Sequence, residues 1–119
     1  MMTIINLTQH NATPEQLAQS VVNLEEGHDK LVTLLTFNNL PTHEEIEMKA
    51  SAIAEIADGY GAAMIGGAPY LMPALTSALK KRGIKPLFAF TERVSVDKML
   101  PDGSVQKTSM FAHKGFVEA

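Results

Sequence analysis

The sequence predicts an α/β protein with a three-layer Rossmann-like fold: a mostly parallel sheet, helices on both faces and a C-terminal β-hairpin. Short apolar, β-rich runs alternate with segments of helical periodicity in the order β-α-β-α-β-α-β. Such alternation is typical of a parallel sheet. One of these runs, residues 62–66, turns through Gly66-Gly67-Ala68-Pro69 into a helical pattern. That form is expected where a buried strand passes sharply into a helix.

Length and composition fit one domain over residues 1–119, with 45% apolar and 19% charged residues. The net charge of -3 argues against duplex DNA as a partner. The chain has no cysteine, which excludes disulfides and thiolate metal sites. Residues 1–10 lack the pattern of a signal peptide, and no apolar run approaches the roughly 20 residues of a membrane span. We therefore expect a cytoplasmic protein without a membrane partner.

The first half of the chain predicts two strands and two helices. Residues 3–8 form the first strand and lead into a polar loop. Thr13, Pro14 and Gln16 have the spacing of a capping box, and the helix they begin continues through Leu17, Val21 and Leu24. Residues 30–37 are almost continuously apolar and β-branched, which predicts a second strand buried on both faces.

A second helix begins at a capping box over residues 42–45 and ends before Gly59. Its predicted buried stripe comprises Ile46, Ala50, Ile53, Ala57 and Tyr60. Residues 62–66 form the third strand, and residues 69–82 form a helix with Leu71, Leu75 and Leu79 on one face. Residues 85–90 form the fourth strand.

The last part of the chain predicts a β-hairpin over residues 91–119. Residues 91–99 alternate between apolar and polar, Pro101-Asp102-Gly103 is a strong turn signal, and residues 104–116 alternate again. The tip is expected to be exposed, and its polar face to cover a neighbouring subunit or a ligand.

In an open parallel sheet, ligands bind beyond the carboxyl ends of the strands. Four loops are predicted there: residues 8–11, 37–39, 66–70 and 91–93. The glycines of the third loop let a ligand approach the backbone, and the helix start favours a phosphate. The alternative is a tight turn with no ligand. The turn has neither the dinucleotide GxGxxG pattern nor a Walker sequence, so no cofactor is expected.

The loop after the first strand supplies Thr8, Gln9, His10 and Asn11. These side chains could bind ribose and base edges, and His10 could move a proton, or the loop could be polar and without a ligand. The histidines lack metal-binding spacings such as HExxH, so no metal site is expected.

After the fourth strand, Thr91 adds a hydroxyl to the same edge of the sheet. Arg93 could bind a phosphate in bidentate fashion or pair with a neighbouring carboxylate on the surface. Tyr70 could stack on a base or could be an ordinary half-buried tyrosine.

Four segments together resemble the small CRISPR-associated Rossmann-like proteins, which are similar to CARF domains. The segments are Asn6-Leu7-Thr8-Gln9-His10, Thr13-Pro14-Glu15-Gln16, Gly66-Gly67-Ala68-Pro69-Tyr70 and residues 87–90. The resemblance implies a homodimer that binds a cyclic oligoadenylate, a small anionic nucleotide, across its two-fold axis. Some of the proteins that the chain resembles are ring nucleases, in which a ribose 2′-OH attacks the adjacent phosphorus without a metal ion.

By the same resemblance, Thr8, Gln9 and His10 would hold ribose and phosphate. Gly66 and Gly67 would supply backbone N–H groups. Arg93 would stabilise charge on the phosphate and, with His10, would form the catalytic pair.

Three functions remain open at this point. A cyclic-oligoadenylate protein predicts a basic pocket on a two-fold axis. A binder of another phosphorylated metabolite predicts a pocket within one subunit at Gly66-Gly67. A non-enzymatic interaction protein predicts that residues 94–112 carry the activity.

Overall fold

The computed structural model describes residues 3–119, apart from the side chain of Phe111. The expectation that residues 1–10 hold no signal peptide therefore lies partly outside the described residues. The helices and strands are β1 (Ile4–Asn6), α1 (Pro14–Ala18), β2 (Val21–Val22), α2 (His28–Leu35), α3 (His43–Ile56), β3 (Ala62–Ile65), α4 (Met72–Lys81), β4 (Lys85–Met99) and β5 (Val105–Glu118).

Within residues 3–119, five strands form one sheet in the order β2-β1-β3-β4-β5. The first four strands are parallel, and β5 returns antiparallel to β4. The chain leaves β1 toward β2 on one side and then crosses to β3 on the other side. The strand order therefore switches between β1 and β3, where open sheets of this kind bind ligands. The predicted fold class, a mostly parallel α/β sheet with a C-terminal hairpin, is confirmed.

The larger core lies on one face of the sheet, beneath α2, α3 and α4. Ile5 and Leu7 of the first strand segment and Ala63 and Ile65 of β3 point into it, because alternate residues of a strand face the same side. The helix residues of this core that are fully buried include Leu31, Ile53, Leu75 and Leu79, and Leu71, just before α4, is buried with them. Each such side chain contributes about 1.5–3 kcal/mol on burial.

The opposite face carries a smaller apolar cluster formed by Ile4, Val21, Ala62 and Met64. Partly buried Phe116 packs against this cluster. The helix associated with this face, α1, is only 5 residues long and contacts β2 and β5. Since a helix of this length covers little of a sheet, part of the face remains open near the carboxyl ends of the strands.

The prediction of a strand over residues 30–37 is wrong: residues 28–35 form helix α2. Leu31 and Leu35 are its buried residues and are one helical turn apart. Gly27 precedes the helix at φ +81°, a conformation that glycine adopts without strain. A short apolar run fits a buried strand and a buried helix equally well, so its periodicity could not distinguish them.

The prediction that the first helix continues through Val21 and Leu24 is also wrong. Helix α1 ends at Ala18, and the chain turns at Ser20, whose φ is +74°, into the two-residue strand β2. Ile4 and Ile5 pair with Val21 and Val22, so the second strand of the parallel sheet lies here. Leu17, expected on the buried face, is 48% exposed.

Two other helices agree closely with the sequence. Thr42 accepts a hydrogen bond from the Glu45 N–H at the start of α3, and Ala50, Ile53 and Ala57 are buried as expected. Helix α4 begins at Met72, three residues later than predicted, because residues 69–71 form a further turn.

The hairpin extends well beyond the sheet. β3 pairs only with Lys85–Phe88 of β4, while β4 and β5 pair from Leu87–Glu118 to Met99–Val105. We call residues 89–112 the arm. Its projection gives the molecule a length of 58 Å and a radius of gyration of 17.2 Å, against about 13.5 Å for a compact chain of this size. No helix among the described residues is long and apolar enough to cross a membrane.

Candidate ligand-binding site

A cavity of about 650 Å³ opens beyond the carboxyl ends of β1 and β3, beside Phe88 and Ala89 of β4, which continues into the arm. This volume lies within the range of sites for small molecules. Its wall on the β1 side is the loop Thr8, Gln9, His10 and Asn11, and its wall on the β3 side is Gly66, Gly67 and Ala68. The structure therefore brings together the two segments that the sequence singled out most strongly.

A buried asparagine holds the loop after β1 in place. Asn6 is 5% exposed. Its Nδ2 donates hydrogen bonds to the His10 carbonyl oxygen at 2.7 Å and to Asn23 Oδ1 at 2.9 Å. Its Oδ1 accepts hydrogen bonds from the Thr8 N–H at 2.9 Å and the Thr8 hydroxyl at 2.7 Å. One side chain thus fixes the backbone at both ends of the loop that lines the cavity.

Helix α1 closes the cavity on the face of the sheet that carries the smaller apolar cluster. The Gln16 N–H donates to Thr13 Oγ1 at 3.2 Å, and the Thr13 N–H donates to Gln16 Oε1 at 2.9 Å. This is the predicted capping box, and both residues line the cavity. The box ties the polar ends of both side chains to the helix start and so defines this wall.

The turn after β3 brings backbone rather than side chains to the cavity. Gly67 has φ +142°, a conformation that residues with a Cβ rarely adopt. The Leu71 N–H donates to the Ala68 carbonyl oxygen at 3.0 Å, which closes the turn before α4 begins. A Cβ at Gly66 would lie 3.5 Å from Thr8 Cγ2, so the β1 loop and this turn are in direct contact.

The floor of the cavity is apolar and was not predicted as part of the site. It is formed by Met64, Ile65, Phe88 and Ala89. Among the described lining residues, His10 is the one with an ionisable side chain; the others are polar, small or apolar. The site therefore suits a ligand with an apolar or flat part, hydrogen-bonding groups and little charge.

Three of the expected site residues lie outside this lining. Tyr70 is 50% exposed and packs edge-on against the ring of Phe37, with ring centroids 5.1 Å apart. The loop predicted over residues 91–93 is wrong: these residues continue β4 into the arm, where Thr91 and Arg93 are exposed. Arg93 is four residues beyond Ala89, about 13 Å along an extended strand, and it does not line the cavity that His10 lines.

Asn6, Gln16 and the floor residues are the parts of the site that the sequence analysis missed. Asn6 was assigned to the first strand, and its polarity there was the one available signal, since a buried strand rarely carries an amide without a partner. The floor residues carry no signal, because strand residues of a core and of a ligand cavity are alike.

These features define the class of protein: an α/β protein of Rossmann-like layout with an open cavity at the carboxyl edge of its sheet. The chain belongs to the family described as uncharacterized protein MJ1673 family, whose model matches residues 2–117. No curated protein and no solved structure matches the chain. The resemblance to CRISPR-associated proteins stays a prediction.

Proposed function

We propose that this protein binds a mononucleotide or a similar small phosphorylated metabolite in the cavity between residues 8–11 and 66–68. One observation carries the proposal: a cavity of about 650 Å³ within a single subunit joins the polar loop to the glycine turn. The carboxyl edge beside the switch in strand order is also where this architecture places its ligands.

Each part of the cavity matches one part of such a ligand. Met64 and Ala89, which share the thinly covered face of the sheet, offer an apolar surface to a base or another flat group. The Thr8 hydroxyl and the Gln9 and Asn11 amides can donate and accept hydrogen bonds with ribose hydroxyls. The backbone N–H groups of the Gly67–Ala68 turn, just before α4, suit one phosphate.

The charge of the lining supports a ligand with few phosphates. Within the described lining there is no lysine or arginine, and a cyclic oligoadenylate carries one negative charge for each phosphate. The cyclic oligoadenylate implied by the CRISPR-associated resemblance is a competing proposal for the same cavity. It requires cations that the described lining does not hold, and turnover would require Arg93 to reach the ligand beside His10.

A thermal-shift panel tests the proposal directly. The panel holds AMP, NAD, inorganic phosphate and the cyclic tri-, tetra- and hexa-adenylates, with chromatography of every ligand that stabilises the protein. A ligand at 100 times its dissociation constant stabilises the folded state by about 2.7 kcal/mol. We expect the mononucleotide to shift the melting temperature and to be recovered unchanged.

Two variants make the panel specific to the cavity. Ala89→Phe fills the floor from an exposed position and should abolish the shift. Val117→Phe adds the same ring at an exposed position opposite Phe88, outside the lining, and should retain it. A shift confined to one cyclic oligoadenylate, with a linear product, would replace this proposal with ring opening. No shift with any compound would overturn both.

A further inference from the structure

The edge of β4 that faces away from β5 is unpaired along the arm. On that side β3 pairs with residues 85–88, and no other described strand continues the pairing over residues 89–99. These residues span about 36 Å of extended backbone. An exposed strand edge of this length is a ready template for another strand.

The direction of the backbone groups on this edge follows from the hairpin tip. The Leu100 N–H donates to the Ser104 carbonyl oxygen at 2.8 Å, and the Thr108 hydroxyl donates to the Val96 carbonyl oxygen at 3.3 Å. Even-numbered residues of β4 therefore direct their backbone groups to β5. Since this direction alternates along a strand, odd-numbered residues such as Ser95 direct theirs to the unpaired edge.

The sequence of this edge is complementary to itself. It reads Glu92-Arg93-Val94-Ser95-Val96-Asp97-Lys98. When two copies are laid antiparallel about Ser95, Glu92 faces Lys98, Arg93 faces Asp97, and Val94 faces Val96. Every charge meets its opposite, and every apolar residue meets an apolar residue. A two-fold axis demands this kind of self-complementarity.

We infer that two copies of this chain form a dimer by antiparallel pairing of their β4 edges, centred on Ser95. The odd-numbered residues Arg93, Ser95 and Asp97 form the hydrogen-bonded pairs. The result is a continuous four-stranded arm in the order β5-β4-β4-β5. This pairing also stabilises an arm that, as an isolated two-stranded hairpin, would be marginal in water.

The length of the edge fits the same register. Met99, the last residue of β4, faces Thr91 of the second copy, so the second strand ends before it meets Phe88, where β3 begins to pair. Val94, Val96 and Met110 share one face of the arm, and pairing doubles this apolar strip. The outer edge of β5 offers no comparable match, because Lys107 is the one charged residue among residues 105–112.

Charge reversal at residues 92 and 98 tests the register. Their neighbours on β5, Ala112 and Gln106, are uncharged, so the reversals change no opposite-charge pair within one subunit. In the dimer, residue 92 of each copy faces residue 98 of the other. Glu92→Lys therefore sets lysine against lysine at both of these positions, and Lys98→Glu sets glutamate against glutamate. Each single variant should raise the dimer dissociation constant at least about tenfold, measured by analytical ultracentrifugation.

The double variant E92K/K98E restores opposite charges and should recover the wild-type constant. An equimolar mixture of the two single variants should form a heterodimer, since all four residues then meet opposite charges. A monomeric wild type at high concentration, a double variant as weak as the singles, or a mixture that stays monomeric would overturn the inference.

A cysteine pair gives a second, independent test. The chain has no cysteine, so Ser95→Cys supplies a single thiol at the proposed axis. Facing residues of a hydrogen-bonded antiparallel pair have Cα atoms about 5.5 Å apart, within reach of a disulfide. Mild oxidation should give a covalent dimer. The matched control, Ser109→Cys, lies opposite Ser95 on β5 and is also exposed; it should stay monomeric on a denaturing gel. Crosslinking of Ser109→Cys instead would contradict the β4 pairing.

Discussion

At the scale of single residues, Asn6 links the core to the candidate site. It lies on β1, yet its side chain points to the thinly covered face and makes four hydrogen bonds to residues around the cavity. A buried amide is tolerated only when its donors and acceptors are satisfied. Here that requirement also fixes the positions of Thr8 and His10.

Replacing Asn6 with alanine should destabilise the fold and loosen the site. The change leaves the Thr8 N–H without its acceptor, while Asn23 Oδ1 keeps the hydrogen bond from the Ala12 N–H. We therefore expect a loss of about 1–3 kcal/mol in the free energy of unfolding. Urea denaturation measures it. Asn39→Ala, at an exposed loop position, is the control and should change stability little. Equal losses in both variants would contradict the role assigned to Asn6.

Replacing Gly66 or Gly67 with alanine should change the stability of the protein by different amounts. Because Gly67 has φ +142°, Gly67→Ala should lower the free energy of unfolding by about 1–3 kcal/mol. Gly66→Ala should cost little, because its new Cβ makes an ordinary contact at 3.5 Å with Thr8. Thermal unfolding of both variants decides this. A larger loss at Gly66 would show that the turn differs from the one described here.

The sequence predicted the site residues that come directly after a strand, but not those that lie within a strand. Thr8 and Gly66 are each the first polar or flexible position after an apolar run, which marks the carboxyl end of a strand. Met64 and Ala89 lie within strands. Whether such a residue meets a helix or an open cavity depends on the length of α1, which the Leu17–Val21 spacing led the sequence analysis to overestimate.

At the scale of elements, the error over residues 28–35 has a physical origin. Leu31, Leu34 and Leu35 satisfy a helical face, and the same run satisfies a strand buried on both sides. In the structure Val21–Val22, and not residues 30–37, form the second strand and pair with β1. The hairpin was predicted correctly because alternation and the Pro101-Asp102-Gly103 turn gave two independent signals.

The turn at the tip of the arm should depend on pH through Asp102. The Ser104 hydroxyl donates to the Asp102 carboxylate at 2.6 Å and the Ser104 N–H does so at 2.9 Å. These bonds, the hydroxyl first, hold the pKa of Asp102 below its ordinary value. The carboxylate's contribution to the turn is therefore complete above that ordinary pKa and is lost as the pH falls through the lowered pKa.

An NMR titration of the Ser104 amide measures this dependence. Its chemical shift should change with an apparent pKa below that of an unperturbed aspartic acid. Asp102→Asn, which has no titrating group, should remove the change. An unaltered titration in the variant would mean that another group is responsible.

At the scale of the whole molecule, the protein consists of a compact body and the projecting arm, residues 89–112. The body places a one-subunit cavity at the switch in strand order, and the arm carries a self-complementary edge. Since residues 92–98 do not line the cavity, a charge reversal there that breaks the dimer should leave the cavity lining unchanged. Ligand binding by a variant that cannot dimerise therefore distinguishes a nucleotide site within one subunit from a site on the two-fold axis.

Titration of ¹⁵N-labelled protein with AMP, followed by amide chemical shifts, tests the proposed function most directly. We predict saturable shifts for the amides of residues 8–11 and 66–68, retained in the Glu92→Lys variant. The absence of shifts in these two segments, or their loss on separating the subunits, would contradict a nucleotide site within one subunit.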